Sequence, residues 1–344
     1  MVPLSITAQT TYAELVDQLV ALEARRTIGS APGSFVEKRL ESGTYVYFQY
    51  SAPGGAVRQV YVGKKSRALS QLARRFSEER AARESDRTAI GALCGALRAS
   101  GAAVTDAASA RVIAALADSG VFKLGGVLVG THAFLVLGNV LGVKWEGAAA
   151  RTEDVDVGAA RSLEVAVPEL AADVPRAIEA LGMGFLPVPG FSPGEPSTSF
   201  KVRGRGLRLD LVTPARGETS EPVPIPRFNA AAAPVRFLEL LLEDAQPAAV
   251  VDGGGVLVTV PSPARFALHK LLVAQDRSVA FQVKARKDVV QAALVLEALE
   301  ELRPADLGDA VRTTRAKGKR WRDALARGVT LLARHDARLA ALVG

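Results

Sequence analysis

The sequence predicts an α+β protein: a mixed sheet with flanking helices at its centre, an N-terminal helix and aromatic β-hairpin before it, and a helical C-terminal part after it. Three observations predict this class. Residues 121–214 alternate short apolar strands with helical stretches. Glycine-centred turns at Gly204-Arg-Gly206 and Gly253-Gly-Gly255 join runs of alternating apolar residues. From Pro263 to the end the apolar residues recur at helical spacing. At roughly 100–200 residues per domain, a chain of 344 residues suggests two or three units. The expected boundaries are 1–120, 121–262 and 263–344.

Taken in order, residues near 9–26 read as an amphipathic helix, because Tyr12, Leu15, Leu19 and Leu22 share one face. Gly43–Tyr50 is rich in aromatic and β-branched residues, Pro53-Gly-Gly55 supplies a turn, and Val57–Val62 returns. Tyr45, Tyr47, Phe48, Tyr50 and Tyr61 then share a hairpin close to Lys64, Lys65 and Arg67. Such a face suits base stacking, and equally an ordinary packed hairpin. From Ser66 to about Ser119 the pattern is helical, with a break at Gly101–Asp106. Strands are expected at Val127–Val129, Glu153–Val157, Leu163–Val167, Ser199–Val202, Leu207–Val212, Ala248–Val251 and Val256–Val260. Helices are expected at Thr131–Leu141 and at about Leu170–Leu181. Residues 195–198 and Arg216–Pro226 read as loops.

Composition narrows the function classes. No stretch reaches the roughly 20 uninterrupted apolar residues of a membrane helix, and the first residues lack the layout of a signal peptide. The expectation is a soluble cytoplasmic protein with no membrane partner. Cys94 is the single cysteine and the histidines are three, at 132, 269 and 335. A disulfide is therefore excluded within the chain and a zinc site disfavoured. The formal net charge of +7 is compatible with an anionic partner such as a nucleotide or RNA.

Three short segments carry chemistry. In Gly125-Gly-Val-Leu-Val-Gly130-Thr131 an apolar strand meets a glycine turn and a helix begins at once. That geometry presents backbone N–H groups and a hydroxyl to phosphate oxygens. In Thr152-Glu-Asp154-Val-Asp156-Val157 the two aspartates lie two apart on a strand and share a face. Two neighbouring carboxylates repel, and a divalent cation removes that cost. In Leu207-Arg-Leu-Asp210-Leu-Val212 an acid interrupts an apolar alternating strand. There it needs a partner or a ligand. Arg208 offers the structural alternative of an ion pair.

These segments, in this order, resemble the nucleotidyltransferase superfamily of DNA polymerase β. Its pattern is strand, Gly-Ser or Gly-Thr, helix, an Asp-x-Asp strand, then a third acid on a strand of its own. Gly130-Thr131, Asp154-Val-Asp156 and Asp210 match it. The offset of 24 from Gly130 to Asp154 exceeds the usual spacing, through an extra loop at Lys144–Arg151. The helix around His269-Lys270-Leu271, followed by Arg277 and Arg286-Lys287-Asp288, is similar to that of the abortive-infection and type IV toxin nucleotidyltransferases, and the whole chain resembles a bacterial group related to them. Gln291 stands where the toxins' last aspartate would be, so their acceptor chemistry does not carry over directly.

The resemblance implies a polymerase-β-like core and transfer of NMP from an NTP to an acceptor hydroxyl; a tRNA 3′ end fits the basic charge, and a protein hydroxyl or a small molecule is an open alternative. It implies two Mg²⁺ ions, or Mn²⁺, held by Asp154, Asp156 and Asp210. Gly130, Thr131, Lys270 and Lys287 would bind phosphates, and Asp288 would orient a lysine. A toxin role with an antitoxin partner belongs to the same resemblance. The competing reading is a degenerate fold kept for nucleic-acid binding or regulation. Retention of all three acids speaks against it.

Overall fold

The computed structural model describes residues 1–24, 33–51, 57–150, 152–161, 171–189, 195–217, 220–277 and 282–344. The chain opens with β1 (Val2–Pro3) and α1 (Ile6–Ala24). A three-stranded antiparallel sheet follows, built from β2 (Ser34–Leu40), β3 (Gly43–Ser51) and β4 (Val57–Lys64). The long helix α2 (Arg67–Ala99) starts where the Ser66 hydroxyl accepts the Leu69 N–H. Its Phe76 packs edge-on against Phe35 and Phe48 of that sheet. Its far end buries Ile90, Cys94 and Leu97 against α1. Burial pushes the Cys94 thiol up to about 11, helped by the nearby Asp252 charge, so it is an inert core residue.

The centre contains α3 (Ala107–Asp118), β5 (Gly126–Val129), α4 (Gly130–Leu141), β6 (Val143–Lys144), β7 (Asp154–Ala159) and α5 (Val174–Glu179). It continues through β8 (Phe185–Pro187), β9 (Ser199–Val202), β10 (Arg208–Pro214), β11 (Val223–Ile225), β12 (Ala230–Val235) and α6 (Glu239–Leu242). The main path of the sheet runs β11-β12-β10-β7-β5. The sheet is mixed: β7, β10 and β12 run parallel to one another, while β5 is antiparallel to β7. Strands β9 and β12 share one edge of β10, β9 at its start and β12 at its end. The hairpin β13 (Gln246–Val250) and β14 (Val256–Val260) lies beside it. The Tyr12 hydroxyl ties α1 to this hairpin, donating to the Ala249 carbonyl and accepting from the Ala249 N–H.

The remainder is helical: α7 (Pro263–Ala274), α8 (Gln282–Leu302), α9 (Pro304–Ala316), α10 (Lys319–Ala333) and α11 (Ala337–Val343). One buried apolar cluster runs from α3 through the sheet into α11. No helix among the described residues is long and apolar enough to cross a membrane.

The fold departs from the sequence reading at identifiable places. Strand β2 was not expected, because Ser34–Leu40 carries three consecutive exposed charges, Glu37, Lys38 and Arg39, and shows no apolar alternation. Strands β11 and β12 were not expected either, and β11 falls within the stretch read as a loop. The run of alanines in β12 has no strand preference of its own, and pairing with β10 on one side and β11 on the other imposes the form. The helix expected at Leu170–Leu181 is shorter. Asp173 caps it by accepting the Arg176 N–H, and Pro175 sits in its first turn. The strand expected at Leu163–Val167 lies outside the described residues.

Candidate active site

Strand alternation places the acids. In β7, Val155 and Val157 are buried while Asp154 and Asp156 face a cleft. In β10, Leu209 and Leu211 are buried and Asp210 faces the same cleft. The parallel register sets Asp210 directly beside Asp156, and Arg208 beside Asp154. Neighbouring strands lie about 4.8 Å apart, so Asp156 has Asp210 beside it across the strands and Asp154 two residues away along its own. Burial first, then the Asp210 and Asp154 charges, push its carboxyl up to about 7, against the opposing pull of Lys270 and Lys284. Asp210 is also held by Arg208, whose Nε donates to Oδ1 at 2.7 Å and to the Ser199 hydroxyl at 2.6 Å. The ion pair foreseen as an alternative thus exists. No group of three His, Cys, Asp or Glu among the described residues is gathered closely enough to hold a metal as it stands.

The glycine turn meets these acids from the other edge. Antiparallel pairing sets Val129 beside Asp156, and Gly130 follows with φ +67°. A Cβ on Gly130 would lie 2.0 Å from Asp156 Oδ2. Only glycine permits both the backbone conformation and this approach. Helix α4 begins at the same point, so its free N–H groups and positive end open toward the cleft. Thr131 lines the cleft but is itself 7% exposed. Its hydroxyl lies 3.4 Å from Gln291 Nε2, which also donates to the Ala149 carbonyl at 2.8 Å. Gln291 thereby fastens α8 to α4 and to the extra loop before β7.

Opposite the acids stands a basic wall from α7 and α8. The cleft, about 610 Å³, is lined there by Lys270, Arg277, Lys284, Lys287 and Asp288. Lys270 is not an exposed helix lysine. It is 8% exposed, and its ammonium donates to Asp288 Oδ1 at 2.9 Å above the Phe266 ring. Asp288, 3% exposed, also accepts from Arg277 Nε at 2.6 Å. Both cations hold its carboxyl below the ordinary carboxylate range despite the opposing effect of burial. Burial and Lys270 together hold the Lys287 ammonium below the usual lysine range. Asp288→Ala would leave Lys270 buried without its counter-ion, at an expected cost of about 3–5 kcal/mol. Urea denaturation at neutral pH measures it. A loss under about 1 kcal/mol would show that the pair is not structural.

A family model described as nucleotidyltransferase matches residues 107–316. The chain belongs to this nucleotidyltransferase family. Among solved structures, this nucleotidyltransferase is similar to an antigenic nucleotidyltransferase-like protein from Paracoccidioides brasiliensis, at 14% identity over 69% of this chain and 93% of that one, with a TM-score of 0.36. A comparison with curated proteins gives no match.

Within the nucleotidyltransferase, all eight residues singled out in the sequence line the one cleft: Gly130, Thr131, Asp154, Asp156, Asp210, Lys270, Lys287 and Asp288. Lys284 was missed, although its spacing of three from Lys287 on a helix was the signal for it. His269 lines the cleft and His132 does not, and burial keeps both imidazoles neutral and weakly basic. Burial holds His132 down to about 4, and burial with the Lys270 charge holds His269 down to about 3. Phe134 and Trp145 stack in the core with centroids 4.8 Å apart. The tyrosines of β3 and β4 lie away from the cleft, on the sheet packed against α2.

Proposed function

We propose that this chain moves NMP from an NTP to an acceptor hydroxyl at an RNA 3′ end, such as that of a tRNA, in a magnesium-dependent reaction. One observation carries the proposal: three acids from two adjacent strands line one cleft, Asp156 lies against the glycine turn that begins α4, and a basic wall stands opposite. The donor set fits magnesium, because it is all oxygen and Asp156 bears a repulsion that a divalent cation relieves. Asp154 and Asp156 would hold two such ions, with manganese as a substitute, and Asp210 would be the third ligand or a nearby base. Bound metal would supply Lewis-acid stabilisation of phosphoryl oxygens and a more acidic acceptor hydroxyl.

The chain's own groups do the rest. Gly130 and Thr131 would direct N–H groups at the triphosphate. Lys270, Lys284 and Lys287 would offset its charge, with Asp288 keeping Lys270 in place. The acceptor oxygen bonds to the α-phosphorus as the α–β bridging bond breaks and pyrophosphate leaves. An antitoxin partner and a toxin role fit this chemistry without being required by it.

The second reading, a module that binds without transferring, draws support from the Asp210–Arg208 pair. Incubation with each α-labelled NTP, Mg²⁺ and total RNA separates the two. Label should move with wild type and not with Asp154→Ala or Asp156→Ala. Absence of both transfer and metal-dependent NTP binding would leave the binding module.

A further inference from the structure

A second cavity, of about 580 Å³, lies behind the basic wall, between α8 and α10. Helical periodicity explains how α8 serves both cavities. Lys284, Lys287 and Asp288 face the acidic cleft, while Gln282, Arg286 and Val289 face the groove. From α10 and its C-terminal cap the groove receives Arg327, Leu331 and Arg334, again one stripe. Val289 and Leu331 form an apolar floor. Arg277 lines both cavities.

The charge of this groove is one-sided. Four arginines line it, and no Asp or Glu does among the described residues. Elsewhere on the C-terminal helices several cations are matched by acids: Arg265 and Lys317 with Glu243, Lys319 with Asp323, Arg338 with Glu300. Arg277 is met by Asp288, and Arg327 donates to Gln275 Oε1. The side chains of Arg286 and Arg334 have no ion pair or hydrogen bond among the described residues. Cations crowded without counter-charge repel one another, and a bound anion removes the cost. Guanidinium groups suit phosphate geometry, and the apolar floor suits a sugar or base. Arg327 and Arg334 are seven residues apart, about 10 Å along the helix. That spread exceeds one phosphate group and leaves room for more than one phosphate of a strand.

We infer that this groove seats the phosphodiester backbone of a nucleic-acid strand, led past Arg277 toward the acids. That the strand is the acceptor rests on the transferase reading, whereas the seating does not.

Anisotropy of a short fluorescein-labelled oligoadenylate with the full chain tests the seating. Arg286→Glu combined with Arg334→Glu should weaken binding by more than about ten-fold, and should lower the slope of log affinity against log salt by about two. Both side chains are exposed, so the fold should stay intact, and circular dichroism checks it. Neither lines the cleft, so metal-dependent ATP binding should stay at the wild-type level. Unchanged oligoadenylate affinity in the reversed variant would overturn the inference. So would competition by polyglutamate, or by AMP at equal nucleotide concentration, as strong as that by unlabelled strand. If the variant loses the strand while no NTP is ever turned over, the groove stands and only its acceptor role falls.

Discussion

Asp156→Asn will abolish nucleotidyl transfer and, in EDTA at pH 8, make the protein more stable than wild type. The loss of activity should exceed about a hundred-fold, since even outer partners of metal ligands commonly reach that. The gain in stability follows from the carboxyl's surroundings. Its proton affinity rises from 3.8 in the open chain to about 7 in the fold, through burial and the Asp210 and Asp154 charges. The folded state then holds a proton that the unfolded state releases between those values. Stability from this group is therefore present below about pH 4, falls as pH rises, and is gone above about pH 7. The full span corresponds to at most about 4 kcal/mol, less where water reaches the cleft. Mg²⁺ at pH 8 should restore stability to wild type and leave the variant unmoved. Urea midpoints at pH 5 and pH 8, with and without Mg²⁺, measure all of this. Identical midpoints for the two proteins at pH 8 in EDTA would dispose of the repulsion argument.

Gly130→Ala is expected to be nearly as severe, for two separable reasons. The residue has φ +67°, where an added Cβ costs about 1–2 kcal/mol. That Cβ would also stand 2.0 Å from Asp156 Oδ2 and 2.9 Å from its carboxyl carbon. Either β5 or the carboxylate must shift, adding about 1–3 kcal/mol of overpacking. The shift would disturb the acid on which the site is built. Gly204 provides the control: its φ is +75°, yet a Cβ there meets nothing within 4 Å. Gly204→Ala should show the conformational cost alone and keep its activity. If both alanine variants lose equal stability, contact with Asp156 is not what keeps residue 130 a glycine.

The site was more legible in the sequence than the fold around it. Asp154 and Asp156 declare themselves through two-residue spacing on a strand, and Asp210 by interrupting an apolar one; strand register then does the gathering. Lys270 was singled out only through the family resemblance, and its burial did not declare itself. It lies on α7, a helix buried on nearly every side, and that burial comes from α8, α9 and α10 packing around it. Local spacing cannot report such a neighbourhood. The polyalanine strand β12 stayed hidden for the same reason, because its form comes from its neighbours. Arg208 was readable only as an option, since two residues apart on a strand allows the pair without demanding it.

The continuous apolar cluster from α3 to α11 has a consequence for movement. One wall of the cleft grows from the sheet and the other from the last helices, yet both are rooted in the same close-packed interior. Such an interior does not hinge like a jaw. Substrate entry would be met by small slides of α7 and α8 along their seats, and heating should dissolve both walls in a single cooperative event.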